Sequence, residues 1–218
     1  MNPTRRSFRW QATADELRDL LGRGAASRDV RGRILVDAGD GTRATLTLPP
    51  VLRIPPDAAP SDITGHVPEQ LGVEVVLLLR ASRAALGLWI DDELAAHKVF
   101  RRYTVRRGQG HAQTTHLKTK GKSRYGSRLR LQQATRLLDE VNERLTEWED
   151  EYGPYRTVHR ACPVRLWADL CAHDPSPPFD ARDPRLLPIR IHTHEPDLEE
   201  LLRVRRHLTR GVIEESAG

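Results

Sequence analysis

The segment from Arg106 to His116 carries side chains that could do chemistry on a bound polyphosphate ligand. His111 and His116 can titrate near neutral pH and assist proton transfer. The two glutamines of the segment cannot act as general bases, because an amide does not titrate near neutral pH. Such an amide can still position a water by accepting from it and donating to a neighbouring oxygen. Gly108 and Gly110 let the backbone approach a substrate closely and point N–H groups at a developing oxyanion. This segment is therefore the first candidate for a functional loop.

A concentrated positive charge surrounds this segment. Between Glu93 and Asp139 the chain has 12 Lys or Arg residues and no acidic side chain. The whole chain has 35 basic and 30 acidic side chains, so the remainder holds 23 basic against 30 acidic ones. One basic stretch on an otherwise acidic chain is typical of a protein that binds RNA or DNA, and a solvated basic face is the simpler alternative.

Several residues of this stretch are candidates for contact with nucleic acid. The irregular spacing of the basic ones favours neutralisation of a phosphate backbone over reading of bases. Tyr125 lies in the predicted loop and could stack on an exposed base. The candidate contact residues are Arg106, Arg107, Lys118, Lys120, Lys122, Arg124, Tyr125, Arg128 and Arg130.

The elements on either side place the segment between a sheet and a helix. Hydrophobic periodicity and short turns predict three antiparallel strands before it, over 73–80, 84–90 and 96–106. A loop over 107–125 and a helix over 127–149 follow. Beyond Gly153, the patterns predict a strand over 155–159, a helix over 163–170, an edge strand over 187–192 and a helix over 196–210 that stops at Gly211.

The first part of the chain predicts a smaller unit. Thr13 to Glu16 matches a capping box at the start of a helix, and two strands over 31–37 and 42–48 are joined at Asp40-Gly41. Prolines then interrupt residues 49–60, as in a connection. We predict an α/β fold with a mixed β-sheet flanked by helices, preceded by a small α+β unit.

Composition argues against several other classes. No apolar run approaches the ~20 residues needed to cross a bilayer, and the basic N-terminus lacks the apolar core of a signal peptide, so we expect a cytoplasmic protein without a membrane partner. Cys162 and Cys171 form no CxxC pair and are interpreted as reduced structural thiols. His192 and His194 alternate like residues on one face of a strand and lack further ligands nearby, so we expect no metal and no cofactor.

Several motifs, in order, resemble the Vms-one-like release factor (VLRF) family. His97 to Gln113 resembles its central H-K-x-x-x-R-Y-T-x-R-x-x-Q-G-G-S-Q-S motif, although His111-Ala112 stands where Gly-Ser is usual. The Gly-Ser-x-Leu-Arg of the next helix recurs at Gly126 to Arg130. The D-P-R-L-x-x-I-P motif resembles Asp183 to Ile189, and R-P-T-x-x-E resembles, less well, Glu195 to Glu199. The pattern is most similar to the compact actinobacterial-type branch.

The resemblance implies a fold like the middle domain of eukaryotic class I release factors, which is RNase H-like. The resemblance spans about Leu71 to Gly211 and implies a release-factor-like catalytic domain over 69–211. Residues 1–68 do not match the family core, and we predict them to be an N-terminal α+β accessory unit with a proline-rich connection, with 212–218 as a C-terminal tail. The resemblance also implies an enzyme, a peptidyl-tRNA hydrolase that frees stalled nascent chains on the large ribosomal subunit in ribosome-associated quality control. Peptidyl-tRNA and the large subunit are the expected partners, and we expect a monomer.

The resemblance also assigns roles within the loop. Gln113 aligns with the family's essential glutamine, and we assign it to catalysis together with His111 and Gly110. Gly108, Gln109, Ala112 and Thr114 would shape the loop. Two alternatives stay open: cleavage of the tRNA near its 3′ CCA end by the same loop, and a ribosome- or RNA-binding module without catalysis.

Overall fold

The computed structural model describes residues 4–39, 41–102 and 122–217, with only the backbone course given for 122–131 and 217. The chain divides into two compact units, one formed by residues 1–70 and 202–218 and the other by residues 71–201. The division falls within a helix near the C-terminus. Each unit contains one five-stranded sheet.

The first unit is built on an antiparallel sheet. Its strands are β1 (Thr4–Arg9), β2 (Gly24–Arg28), β3 (Ile34–Ala38), β4 (Thr42–Thr47) and β10 (Arg210–Ala217), in the order β1-β10-β4-β3-β2. The helix α1 (Thr13–Leu21) follows β1 and places Leu17 and Leu20 in the core with Phe8 and Ile213. A 3-10 helix over Pro60–His66 follows the proline-rich connection.

The second unit is built on a mixed sheet, in the order β7-β6-β5-β8-β9. Strands β5 (Val73–Arg80), β6 (Arg83–Ile90) and β7 (Glu93–Arg101) are antiparallel neighbours, whereas β8 (Thr157–Ala161) and β9 (Leu186–Pro188) run parallel to β5. Six consecutive residues of β5 are buried, which explains its continuous apolar run. The predicted α/β fold with a mixed sheet is confirmed.

Helices cover one face of this sheet. Helix α2 (Lys122–Tyr152) and helix α3 (Val164–Cys171) pack against alternate residues of the strands. Gly153, with a φ of 91°, follows the last turn of α2, as predicted from Gly153-Pro154. Helix α4 (Leu198–Leu208) comes after β9.

The C-terminal end differs most from the sequence-based expectation. Residues 212–218 were expected as a tail and Gly211 as a helix stop, but Arg210–Ala217 form β10, between β1 and β4. Gly211 is opposite Phe8 in the β1–β10 pair, and a Cβ on Gly211 would lie 2.1 Å from the Phe8 ring. Glycine therefore stands there because the ring occupies its side-chain space. That a catalytic domain runs over 69–211 stays a prediction.

Two helix starts also differ. Ala12, not Thr13, is the N-cap of α1, and no side chain caps that end. Glu16 instead accepts two hydrogen bonds of 2.5 Å from Arg6, so the predicted capping box is wrong. Helix α2 begins at Lys122 rather than near Ser127 and includes Gly126, whose cost of about 1 kcal/mol in a helix is not enough to mark the helix start. Tyr125 consequently lies on a helix and not in a loop.

Candidate functional site

Most of the predicted site residues fall in one gap of the described structure. Those that lie outside the described residues are Arg106, Arg107, Gly108, Gln109, Gly110, His111, Ala112, Gln113, Thr114, Lys118 and Lys120. Lys122, Arg124, Tyr125, Arg128 and Arg130 lie on the first turns of α2. The roles of all these residues stay predictions. The described residues show which contacts hold the chain before and after the gap.

Arg102 is the last described residue before the gap, and two contacts fix it. Its backbone N–H donates to the carbonyl of Ser82 in the β5–β6 turn, at 2.8 Å. Its guanidinium forms an ion pair with Glu140 on α2. The strand that leads into the candidate segment is thus joined both to the neighbouring turn and to the helix that follows the segment.

The helix beyond the gap is held firmly against the sheet. Leu137, Val141 and Leu145 are buried on the sheet side of α2. The amide of Asn142 donates to the carbonyl oxygens of Leu170, at 3.0 Å, and Pro175, at 2.8 Å. These bonds satisfy the two donors of a buried NH2 group, which would be costly to leave unpaired.

Polar contacts extend this attachment. Nε2 of His173 lies 2.5 Å from Oδ1 of Asp139 on α2. The hydroxyl of Tyr155 donates to the carbonyl of Leu145. Burial raises the pKa of Tyr155, so this hydroxyl stays protonated and keeps donating at neutral pH.

A groove of about 230 Å³ lies between β7 and α2. Its lining has three carboxylates and two cations, one of them Arg144, which pairs with Glu147 at 2.8 Å. The full lining is Lys98, Phe100, Glu140, Glu143, Arg144 and Glu147. An excess of carboxylates disfavours a phosphate ligand in this groove.

The Asp183 motif has a structural role. Arg185 donates to Asp183 at 2.8 and 3.0 Å, to Glu149 near the end of α2 at 3.1 Å, and to the carbonyl of Tyr155 at 3.3 Å. One guanidinium therefore connects the end of α2 with the start of β8 and the approach to β9. Arg185 lies at the amino ends of the parallel strands, whereas Arg102 lies at the opposite edge of the sheet.

The two cysteines are free thiols. Burial raises the pKa of Cys162 to about 12 and also raises the pKa of Cys171. A thiol with so high a pKa is a poor nucleophile at neutral pH. This agrees with the predicted structural role.

Among the described residues, no three His, Cys, Asp or Glu side chains converge as metal ligands would. No helix in the described ranges is both long and apolar enough to span a bilayer. His192 and His194 are exposed, with their rings edge to face at a centroid distance of 5.2 Å. They lie beside Arg80, the last residue of the first predicted strand, and Arg83, in the predicted turn after it; neither was a predicted site residue.

One family model matches most of this chain. The model described as the Bacteroidetes VLRF1 release factor matches residues 74–216, which cover the mixed sheet and the candidate segment. The sequence motifs are most similar to the actinobacterial-type branch of the family, whereas the matching model is described for Bacteroidetes.

Two curated relatives are named tRNA endonuclease ANKZF1. The protein of Mus musculus is 34% identical over 138 residues, and that of Homo sapiens is 32% identical over 138 residues. The match covers 62% of this chain but 18% and 19% of those proteins, so the chain corresponds to less than a fifth of their length. Among solved structures, the Vms1 mitochondrial localization core is similar in fold, with a TM-score of 0.54, 11% identity, and coverage of 91% of this chain and 80% of that one.

Proposed function

Because the chain belongs to the VLRF1 release factor family, we propose that it frees stalled nascent chains from tRNA on the large ribosomal subunit, as part of ribosome-associated quality control. The observation that carries this proposal is the segment 103–121, which is rich in basic residues, glycine and glutamine and is flanked by the end of β7 and the start of α2. The family match spans this whole arrangement.

Gln113 positions the attacking water in the proposed reaction. Its amide oxygen accepts from the water, and its N–H group donates to a neighbouring oxygen. The water oxygen forms a bond with the ester carbonyl carbon that joins the peptide to the ribose. The bond from that carbon to the ribose oxygen then breaks. One water proton goes to the ribose oxygen, the other is released to solvent, and the peptide leaves with a carboxylate.

Backbone donors stabilise the charge that develops in this step. The negative charge on the carbonyl oxygen is met by N–H groups near Gly110, and one such donor typically contributes about 3 kcal/mol to lowering the barrier. Lys and Arg residues of the segment and of the first turns of α2 hold the tRNA phosphates. The attachment of Arg102 to Glu140 and Ser82 supports the proposal, since it joins the end of β7, where the segment begins, to the neighbouring turn and to the helix that follows the segment.

Cleavage of the tRNA itself is the second candidate, because both curated relatives carry the name tRNA endonuclease. An RNA 2′-OH would attack the adjacent phosphorus and expel the 5′ oxygen of the next nucleotide. An imidazole such as that of His111 could exchange the protons this requires. A third candidate is a ribosome- or RNA-binding module without turnover. It is favoured by the His111-Ala112 pair, which replaces the usual Gly-Ser of the motif.

One experiment separates these functions. Purified protein is added to isolated complexes of peptidyl-tRNA with the large subunit, and both the peptide and the tRNA are resolved on gels. Ester hydrolysis releases the peptide and leaves a full-length tRNA, whereas endonuclease action leaves a shortened tRNA. Gln113→Ala should abolish release, and Gln132→Ala, an exposed glutamine of α2, should not. Full release by Gln113→Ala would refute the assigned mechanism, and no release by the wild type would leave only the binding module.

A further inference from the structure

A cleft of about 390 Å³ opens at the carboxyl edge of the mixed sheet. It lies between the β5–β6 turn and the segment that follows β9. We refer to it as the carboxyl-edge cleft. Its polar lining is Arg80, Ser82, Arg83, His192, Thr193, His194 and Glu195.

Strand direction explains why these residues meet. Strands β5, β8 and β9 are parallel, so their carboxyl ends share one edge. The N–H of Ile189 donates to the carbonyl of Arg160 at 2.9 Å, and the chain then crosses back along this edge. Nη2 of Arg80 donates to the carbonyl of Thr193 at 2.5 Å, which fixes the crossing segment to the end of β5.

The chemistry of the cleft suits a phosphate. Arg80 and Arg83 are opposite each other across the β5–β6 turn and present two guanidinium groups. Arg80 is exposed, and the Arg83 side chain keeps 33% of its surface accessible. The planar donors of arginine match phosphate oxygens well. Two exposed imidazoles add further nitrogen atoms that can donate.

One carboxylate opposes this charge. Oε1 of Glu195 lies 2.9 Å from Nη1 of Arg83, and the Glu195 side chain is 61% accessible. An exposed pair of this kind contributes little to stability and can be exchanged for a phosphate contact. Among the described residues that line the cleft there is no Phe, Tyr or Trp, so the lining favours a phosphate over a stacked base.

The position of the cleft connects it with the candidate active segment. Ser82, in the cleft lining, accepts the backbone hydrogen bond of Arg102 at 2.8 Å, and Arg102 immediately precedes residues 103–121. We propose that the carboxyl-edge cleft binds a backbone phosphate of the same tRNA whose 3′ end is presented to Gln113. This inference rests on the proposed function, because it takes the RNA to be a tRNA substrate.

Binding of deacylated tRNA to the full chain tests the cleft. The affinity is measured across a series of salt concentrations, with a gel to verify that the RNA stays intact. Arg80→Gln and Arg83→Gln should each weaken binding by roughly 3- to 10-fold at low salt, and each should make the slope of log K against log salt less steep by about 0.7 to 0.9. Arg182→Gln is the matched control, since Arg182 is also exposed but precedes β9 at the opposite edge of the sheet.

A variant of the same cleft that binds tRNA more tightly excludes misfolding as the cause of weaker binding in the arginine variants. Glu195→Gln removes the only carboxylate of the described lining and releases Arg83, so tRNA should bind roughly 2- to 5-fold more tightly. In the release assay, the two arginine variants should raise KM and leave kcat within about twofold, because a phosphate contact made equally in ground and transition states affects binding alone.

The outcomes separate this inference from the proposed function. If the arginine variants bind tRNA as Arg182→Gln does while the wild type releases peptide, the cleft assignment is wrong and the release function stands. If the wild type releases no peptide but the variants still show the altered salt dependence, the cleft binds RNA and the release function fails. Complete displacement of tRNA by low millimolar inorganic phosphate would overturn the RNA assignment in favour of a small-anion site.

Discussion

Nη1 of Arg185 lies 3.1 Å from Oε1 of Glu149, so a residue just before β9 is joined to the last turn of α2. Arg185 also donates to Asp183 and to the Tyr155 carbonyl. Arg185→Ala should lower the free energy of unfolding by about 2–3 kcal/mol, since hydrogen bonds to charged groups are lost and two carboxylates remain. This corresponds to a Tm lower by roughly 5–10 °C.

Thermal unfolding of Arg182→Ala provides the comparison. Arg182 is exposed and three residues away, and its removal should change the Tm by no more than about 2 °C. Equal losses for the two variants would contradict the structural role of Arg185.

The Arg102–Glu140 pair should couple stability with activity. A double-mutant cycle with Arg102→Ala and Glu140→Ala is expected to give a coupling energy of about 0.5–1 kcal/mol, because both side chains are partly exposed. Loss of the pair should also slow peptide release by roughly 10-fold at saturating substrate, through misplacement of the segment that follows Arg102. A coupling energy indistinguishable from zero, with normal release, would show that the pair positions nothing.

Gly211 should tolerate no side chain while Phe8 lies over it. Gly211→Ala places a Cβ 2.1 Å from the ring, and the resulting displacement should cost about 1–3 kcal/mol of stability. Gly65→Ala is the control, since a Cβ there meets nothing within 4 Å. Chemical denaturation measures both, and Phe8→Leu in the Gly211→Ala background should recover part of the loss; no recovery would refute the steric explanation.

The raised pKa of Cys162, about 12 against a usual value near 9, has a consequence for alkaline stability. Between pH 9 and 12 the unfolded chain loses this proton and the folded chain retains it, so stability is present below pH 9 and falls as the pH rises. The unfolding midpoint of the wild type should therefore fall more steeply from pH 8 to pH 10.5 than that of Cys162→Ala. Parallel profiles for the two proteins would contradict the buried, protonated thiol.

The His111-Ala112 pair can be tested by restoring the usual residues. If Gln113 positions the water and His111 takes no essential part, His111→Gly combined with Ala112→Ser should release peptide at a rate within about threefold of the wild type. Loss of release by roughly 100-fold or more would assign the proton transfer to His111. Quenched time courses of peptide release measure either result.

The sequence predicted the mixed sheet better than the antiparallel one. Residues 74–79 of β5 are all buried, so both faces of the strand are covered and its continuous apolar pattern has few alternatives. In contrast, β1 buries only Phe8, and β2 has none of the β-branched residues typical of strands. Strand β10 was missed because its partners lie about 170 and 210 residues earlier and Gly211 reads as a helix stop.

The candidate site was predicted only in part, for a similar reason. The charge of the basic stretch is local in sequence and marks it as a candidate, whereas the choice of Gln113 within it rests on the family resemblance and stays a prediction. The carboxyl-edge cleft combines Arg80 and Arg83 with His192 and His194, more than 100 residues later. Only the parallel order of β5, β8 and β9 brings these residues together, and no local pattern carries that information.

The place of β10 in the first sheet also determines the order in which this protein can fold as it is synthesised. Thr4 pairs with Glu215, and among the described strands β1 pairs only with β10. Every residue of the second unit, 71–201, emerges from the ribosome before β10 does. The mixed sheet can therefore begin to form before β10 is made, whereas β1 can pair only once β10 has been synthesised, the reverse of the usual N-terminal-first order.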